Sequence, residues 1–159
     1  LSPSDLCELM HSIEISIPAV LEDVGHGVAA PVEVRLTCAT EPIRVRMDPM
    51  MLKRGVDNIV RNAIQAVYGA HPNGGGRVFV HAYQSKGSGF VEVRDNGPGI
   101  DEEHWERVFD PYYTSKAEGT GLGLAIVKKV VLEHGGQVRL DRAPEGGARF
   151  RIELPLMES

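Results

Sequence analysis

No stretch of this 159-residue chain is apolar for long enough to span a bilayer, and no secretory-signal pattern opens it. A basic excess is missing as well: 17 Lys and Arg stand against 22 Asp and Glu, a formal charge of −5. Nucleic acids and anionic membrane surfaces both demand a basic footprint, so neither is expected as the main partner, and no direct membrane contact is expected. Cysteine is scarce. Cys7 and Cys38 have no metal-ligand spacing and form no disulfide framework, which suits a reducing cytosol and a cytoplasmic location. Internal repeats and low-complexity tracts are absent. Because the chain opens on Leu1 instead of Met, it is expected to be a piece of a longer protein, whose remainder can carry a membrane anchor.

What is present describes an ordinary globular protein, with 42% hydrophobic and 25% charged residues. The length is enough for one compact domain over 1–159 with a real core. Ser4 or Asp5 caps a first helix carrying Leu6, Leu9, Met10 and Ile13, and Pro18 is expected to kink or end it. With the loop that follows, this makes a lead-in over 1–30. Strand alternation appears at 32–36 and again at 43–47. Asp48 then caps a long helix that has Pro49 at its first position and runs to about Tyr68. Two strands, 77–84 and 90–94, flank a small polar turn. A short helix is expected over 101–109 and an irregular stretch over 111–120. Residues 122–133, apolar nearly all round, read as a buried helix stopped by Gly135-Gly136, and 137–141 and 148–154 close the chain as a hairpin. The order predicts an α+β fold, a two-layer α/β sandwich with a mixed, mostly antiparallel sheet of about five strands covered on one face by three helices.

Three segments carry chemistry. On the long helix, Asn58, Asn62 and Gln65 fall in a narrow arc at i, i+4, i+7. Their carboxamides offer carbonyl oxygens to a hard cation and N–H donors to phosphate oxygens; taken alone the arc reads as well as a solvated stripe. Asp95-Asn96-Gly97-Pro98-Gly99 follows a strand directly. It is a strong turn former, and it could also set Asp95 at a strand end to accept from an amino group such as adenine N6, with glycine backbone flat against the base. Gly119-Thr120-Gly121-Leu122-Gly123-Leu124 opens the last helix, where backbone N–H groups and the positive dipole end suit a phosphate.

Order and spacing together resemble the catalytic, ATP-binding domain of bacterial sensor histidine kinases, in the superfamily that also holds gyrase, Hsp90-type chaperones and MutL. Asp57-Asn58-Ile59-Val60-Arg61-Asn62-Ala63 is similar to the family's N box, Asp95 to Ile100 to its G1 box and Gly119 to Leu124 to its G2 box. Val108-Phe109-Asp110-Pro111-Tyr112-Tyr113-Thr114-Ser115-Lys116 resembles the F box of nitrogen-regulation-type sensors. The resemblance runs from about Ser4 to Pro155 and implies the Bergerat-type form of the sandwich.

By that resemblance ATP and Mg²⁺ are the cofactors, Asn62 is the metal ligand, and Asn58, Asn62 and Lys116 serve the transfer. Gln65, Ala66, Asp95, Gly97, Gly99, Ile100 and Tyr112 line the nucleotide site with them. Gly119, Thr120, Gly121, Leu122, Gly123 and Leu124 meet the phosphates. Residues 101–120 become a lid anchored by Phe109 and Tyr112. Many relatives carry Lys or Arg where Gln65 stands, a charge that Lys116 or Arg61 could replace, and usually Thr where Ala148 stands. The autonomous ATPases of the superfamily have Glu at the position of Asn58, and a carboxamide cannot serve as a general base, so phosphoryl transfer is expected over hydrolysis. None of the six histidines sits in a phosphoacceptor context; His134 is expected to close its helix as a cationic ring. The resemblance therefore implies that the γ-phosphoryl group goes to a histidine on a separate dimerisation domain of the same parent protein, with a response regulator downstream. A stand-alone serine kinase of the anti-sigma-factor type and a non-enzymatic nucleotide sensor remain as alternatives.

Overall fold

The computed structural model describes residues 1–113 and 123–157. Its elements, in chain order, are β1 (Ser2–Asp5), α1 (Leu6–Val24), β2 (Val32–Cys38), β3 (Arg44–Met47), α2 (Pro49–Ala70), β4 (Gly76–Ser85), β5 (Ser88–Asp95), α3 (Gly123–Glu133), β6 (Gln137–Arg142) and β7 (Ala148–Pro155). Five strands form one sheet in the order β2-β4-β5-β7-β6, parallel between β2 and β4 and antiparallel elsewhere. The three helices pack on one face of it, the expected α+β sandwich.

Alternation along the strands decides which face is covered. In β7, Ala148, Phe150, Ile152 and Leu154 are buried under the helices, while Arg149, Arg151 and Glu153 stand on the open face. The helices answer with Leu6, Leu9 and Ile13 from α1, Leu52, Val56, Ile59, Ala63 and Val67 from α2, and Val127, Val130 and Val131 from α3. The open face is held by charge. Arg149 clasps Asp141 through two hydrogen bonds of 2.7 and 2.8 Å, and Arg151 reaches the same carboxylate at 2.9 Å. The Arg149 hydrogen bond, above the opposing effect of burial, lowers the pKa of Asp141 below the usual carboxylate value.

The structure departs from the sequence reading in several places. β1, absent from that reading, pairs antiparallel with β3, Ser2 opposite Met47 and Asp5 opposite Arg44. The other end of the chain joins the same strand: Val45 bridges Leu156, and the Met157 N–H donates to the Arg44 carbonyl at 2.9 Å. Pro18 neither ends nor breaks α1, which runs on to Val24. Pro18 and Glu14, the residue whose carbonyl is deprived of its donor, are both exposed, so the loss falls on the solvent side, while Ile17 and Val20 keep the inner face buried. The stretch 101–109 is two 3₁₀ turns, Glu102–His104 and Arg107–Phe109, instead of one helix. α3 is one-sided, with Lys128, Lys129 and Leu132 exposed. Cys7 and Cys38 form a disulfide, their Cα atoms 5.8 Å apart. A separation of 31 residues concealed it. The β1–β3 pairing, together with the Leu6 N–H to Ile43 carbonyl bond at 3.0 Å, brings the first turn of α1 to the end of β2.

Candidate nucleotide-binding site

Asp48 starts α2 where the site needs it, its Oδ1 accepting from the N–H groups of Met50 and Met51, each at 3.1 Å. The backbone N–H of Asp48 donates to Nε2 of His134 at 3.0 Å, and Nδ1 of His134 donates to the Val130 carbonyl at 2.7 Å. A ring that accepts at one nitrogen and donates at the other is neutral, which corrects the cationic helix cap expected from sequence. His134 instead rivets the end of α3 to the start of α2.

The polar side of α2 divides in two. Toward α1, Lys53 bridges Asp57 at 2.6 Å and Ser16 at 2.7 Å, and Arg61 pairs with Asp23. Arg61 is therefore engaged on the α1 side of the helix by Asp23. On the other flank Asn58 and Asn62 are half-buried and Gln65 is exposed. Asn58 donates through Nδ2 to the carbonyl of Gly123, the first residue of α3, at 3.3 Å.

Asp95 ends β5 almost fully buried, with 2% exposure. Its Oδ1 accepts from the Gly97 N–H at 2.9 Å and the Ala148 N–H at 3.2 Å, and its backbone carbonyl accepts from the Gly147 N–H at 3.2 Å. Gly97 lies against Ala66 of α2: a methyl group on it would be 3.4 Å from Ala66 Cβ and 3.1 Å from Asp95 Oδ1. Gly99 takes φ +76°, which favours glycine, and passes beside the carbonyls of Gly146 and Gly147. Asn96 fastens the turn to the start of β4, donating to the Gly75 carbonyl at 2.9 Å and accepting from the Arg77 N–H at 2.7 Å. The His71 ring, at the end of α2, donates to the Asn96 carbonyl at 3.1 Å.

Beyond this turn, Ile100 is half-buried and its carbonyl accepts from the Trp105 indole at 2.8 Å. Phe109 anchors the segment, buried and edge-on to Phe150 with centroids 6.1 Å apart. Tyr112 does not anchor it: the residue is 75% exposed with φ +66°. Its neighbour Tyr113 does, bonded through its hydroxyl to His104 and covered by the Arg107 guanidinium.

The structure thus gathers Ala66, Asp95, Gly97 and Gly99 at one end of the α2 flank and sets Asn58 beside Gly123 further along it. Leu124 is half-buried against the core. Lys116, Gly119, Thr120, Gly121 and Leu122 lie outside the described residues. Gly147, Ala148 and His71 went unnoticed in the sequence as supports of the turn. The Gly146-Gly147 pair opening a strand that otherwise alternates was the legible signal for two of them.

Comparison with known proteins gives a coherent set. The profile of the "histidine kinase-, DNA gyrase B-, and HSP90-like ATPase" family matches residues 47–158. The sensor histidine kinase ZraS of Escherichia coli O157:H7 is 38% identical over 163 residues, which cover 96% of this chain and 34% of that protein. The nitrogen regulation protein NtrY of Azorhizobium caulinodans is 40% identical over 112 residues, 69% of this chain and 14% of that one. The chain thus spans about a third or less of these relatives' length. Among solved structures, the mycobacterial sensor histidine kinase MprB superposes with a TM-score of 0.80 at 32% identity, covering 99% of both chains.

Proposed function

The chain belongs to the histidine kinase-, DNA gyrase B-, and HSP90-like ATPase family, and from that premise we propose that it loads Mg-ATP and donates the γ-phosphoryl group to a histidine on a separate dimerisation domain of its parent protein. A response regulator takes the group from there, and the whole works in the cytoplasm as a single catalytic domain over 1–159 with a lid over 101–120. The carrying observation is Asp95, buried at the end of β5 and fixed in rotation by the N–H groups of Gly97 and Ala148. A carboxylate so placed accepts from the exocyclic amine of adenine. Gly97 and Gly99 keep the backbone low beside the base, with Ala66, Ile100 and Tyr112 around it.

The phosphates extend along the carboxamide flank of α2, past Asn62 and Asn58, toward the start of α3. By the family resemblance, the backbone N–H groups of Gly119 to Leu124 and the Lys116 ammonium are the further groups assigned to the phosphates, together with the exposed Gln65 of α2. The donor set fits Mg²⁺. Asn58 spends its Nδ2 donor on the Gly123 carbonyl, which leaves its Oδ1 as the acceptor of that carboxamide, and Asn62 supplies the same hard oxygen chemistry one turn on. The bound metal would neutralise phosphate charge, with Asn62 as its protein ligand. Asn58 orients the phosphates and cannot deprotonate water. Asp57, the carboxylate next to it, is committed to Lys53 on the side of α1, which supports transfer to an acceptor over hydrolysis.

Incubating the chain with Mg-ATP and a purified histidine-bearing dimerisation domain from its parent tests this reading. Phosphohistidine should form on the added domain and fall to background with Asp95→Asn. Stoichiometric labelling of the chain itself overturns the proposal.

A further inference from the structure

The hairpin turn between β6 and β7 straddles the end of the sheet. On the helix side, the N–H groups of Gly147 and Ala148 grip the Asp95 carbonyl and carboxylate, both at 3.2 Å. On the open side, the Arg94 guanidinium donates through Nε to Glu145 at the tip of the turn, at 2.8 Å. Arg94 and Asp95 are consecutive residues of β5, so their side chains leave opposite faces. The turn is therefore clipped to one dipeptide from both sides.

The clip is stiff. Arg94 is held a second time by Glu92 at 3.1 Å and lies over the Phe79 ring, 4.8 Å from its centroid. Each side chain of the Arg94–Glu145 pair is only about a quarter exposed. The guanidinium pKa is raised, chiefly by its hydrogen bond to Glu145. Within the turn, Ala143 donates to the Gly147 carbonyl at 2.8 Å and Gly146 to the Ala143 carbonyl at 2.9 Å, so the turn moves as one piece. Its fit against Asp95 leaves no slack: a methyl on Gly147 would come within 2.8 Å of the Asp95 carbonyl carbon and overlap Oδ1. The Gly146 carbonyl also abuts Gly99, so the same turn supports the floor of the base pocket.

We propose that Arg94 and Glu145 are positioning residues for nucleobase recognition, setting the depth of the β6–β7 turn and through it the orientation of the Asp95 carboxylate. The inference rests on Asp95 as the adenine contact. Neither residue touches nucleotide. They act through Gly147 and Ala148, and their effect falls on the choice between a purine with a 6-amino group and one with a 6-oxo group. A rotated carboxylate loses its bond to the 6-amino group of ATP, while GTP carries an oxo group at that position and has no such bond to lose.

The test measures ATP and GTP affinity by calorimetry, with melting temperature alongside, for the unmodified chain, Glu145→Ala, Arg94→Lys, Asp95→Asn and Glu145→Ala/Asp95→Asn. Glu145→Ala should weaken ATP about three- to tenfold and leave GTP within about twofold, the scale of a coupled neighbouring pair. Arg94→Lys, which keeps the charge, should retain more of the preference. Glu145→Ala should add nothing once Asp95 is Asn. Equal loss for both nucleotides, or a lower melting temperature with unchanged preference, reduces the pair to a structural ion pair and overturns the proposal. Asp95→Asn with unaltered ATP affinity overturns the adenine contact itself, and the inference with it. Asp95→Asn with reduced affinity beside an inert Glu145→Ala overturns the inference alone.

Discussion

Gly147→Ala adds one methyl group at the tightest point of the site, and its effect can be worked from the geometry. Gly147 has no need of glycine's dihedral freedom, since its φ is not positive. What it needs is space. A Cβ there would lie within 2.8 Å of the Asp95 carbonyl carbon and inside the van der Waals envelopes of Oδ1 and the backbone oxygen. These are main-chain or buried atoms with nowhere to go, so the turn must lift. Overpacking of this kind costs about 1–3 kcal/mol. The two N–H contacts onto Asp95 are worth about 1 kcal/mol each when stretched or lost. The sum, about 3–5 kcal/mol, should lower the melting temperature by about 5–15 °C for a chain this size. ATP affinity should drop about 5- to 30-fold, since a misaligned carboxylate forfeits about 1–2 kcal/mol. Gly69→Ala in α2, with nothing within 4 Å of the added methyl, provides the contrast and should leave stability equal or slightly higher. Thermal melts and calorimetry on the two variants decide the matter. A Gly147→Ala protein that melts and binds ATP like its parent refutes the idea that this turn is fitted to Asp95.

Three further outcomes are expected. Reducing the Cys7–Cys38 disulfide, which closes a loop of 31 residues, should cost about 3–4 kcal/mol and be visible in melts with and without dithiothreitol; the proposed cytoplasmic location further requires that alkylation in intact cells trap both cysteines as thiols, and their recovery as a disulfide would overturn it. Asn62→Ala should remove the Mg²⁺-dependent part of ATP affinity and spare the metal-free part, so equal losses in titrations with and without Mg²⁺ would discard Asn62 as the ligand. The folded-state pKa of Asp141 is depressed, so its contribution is present above the unfolded carboxylate value and lost as pH falls through the folded one. Asp141→Asn should therefore be less stable than the parent at neutral pH and indistinguishable from it in strong acid, as followed by denaturation against pH.

Much of this architecture was legible because local signals agreed. Asp48-Pro49 marks the start of α2 by a cap and a fixed φ, and Ala148 to Leu154 marks β7 by strict alternation. Illegible features were those whose partners lie far along the chain. Nothing near Ser2–Asp5 announces a strand, because its partner, Arg44–Met47, is about forty residues on. Cys7 gives no hint of Cys38 until β1 and β3 pair. The same holds within the site. Asp95 stood out by its turn, but the amides that orient it come from Gly147 and Ala148, 53 residues downstream for the second. Arg61 lay in the right box and proved to be drawn to α1 by Asp23, a partner no helical periodicity reveals. Pro18 misled because its cost depends on which side of the helix faces water.

β3 has a consequence for how force enters this molecule. Four residues long, it is laced to Ser2–Asp5 on one side and to Leu156 and Met157 on the other. A displacement of Ser2–Asp5 or of Met157 therefore strains bonds of this ribbon directly. One residue later Asp48 hands the load to α2, the rod that carries Asn58 and Asn62, while His134 couples the same joint to α3. The residues proposed to meet the phosphates thus stand on a helix that begins at the knot where the first and last described strands of the chain are fastened.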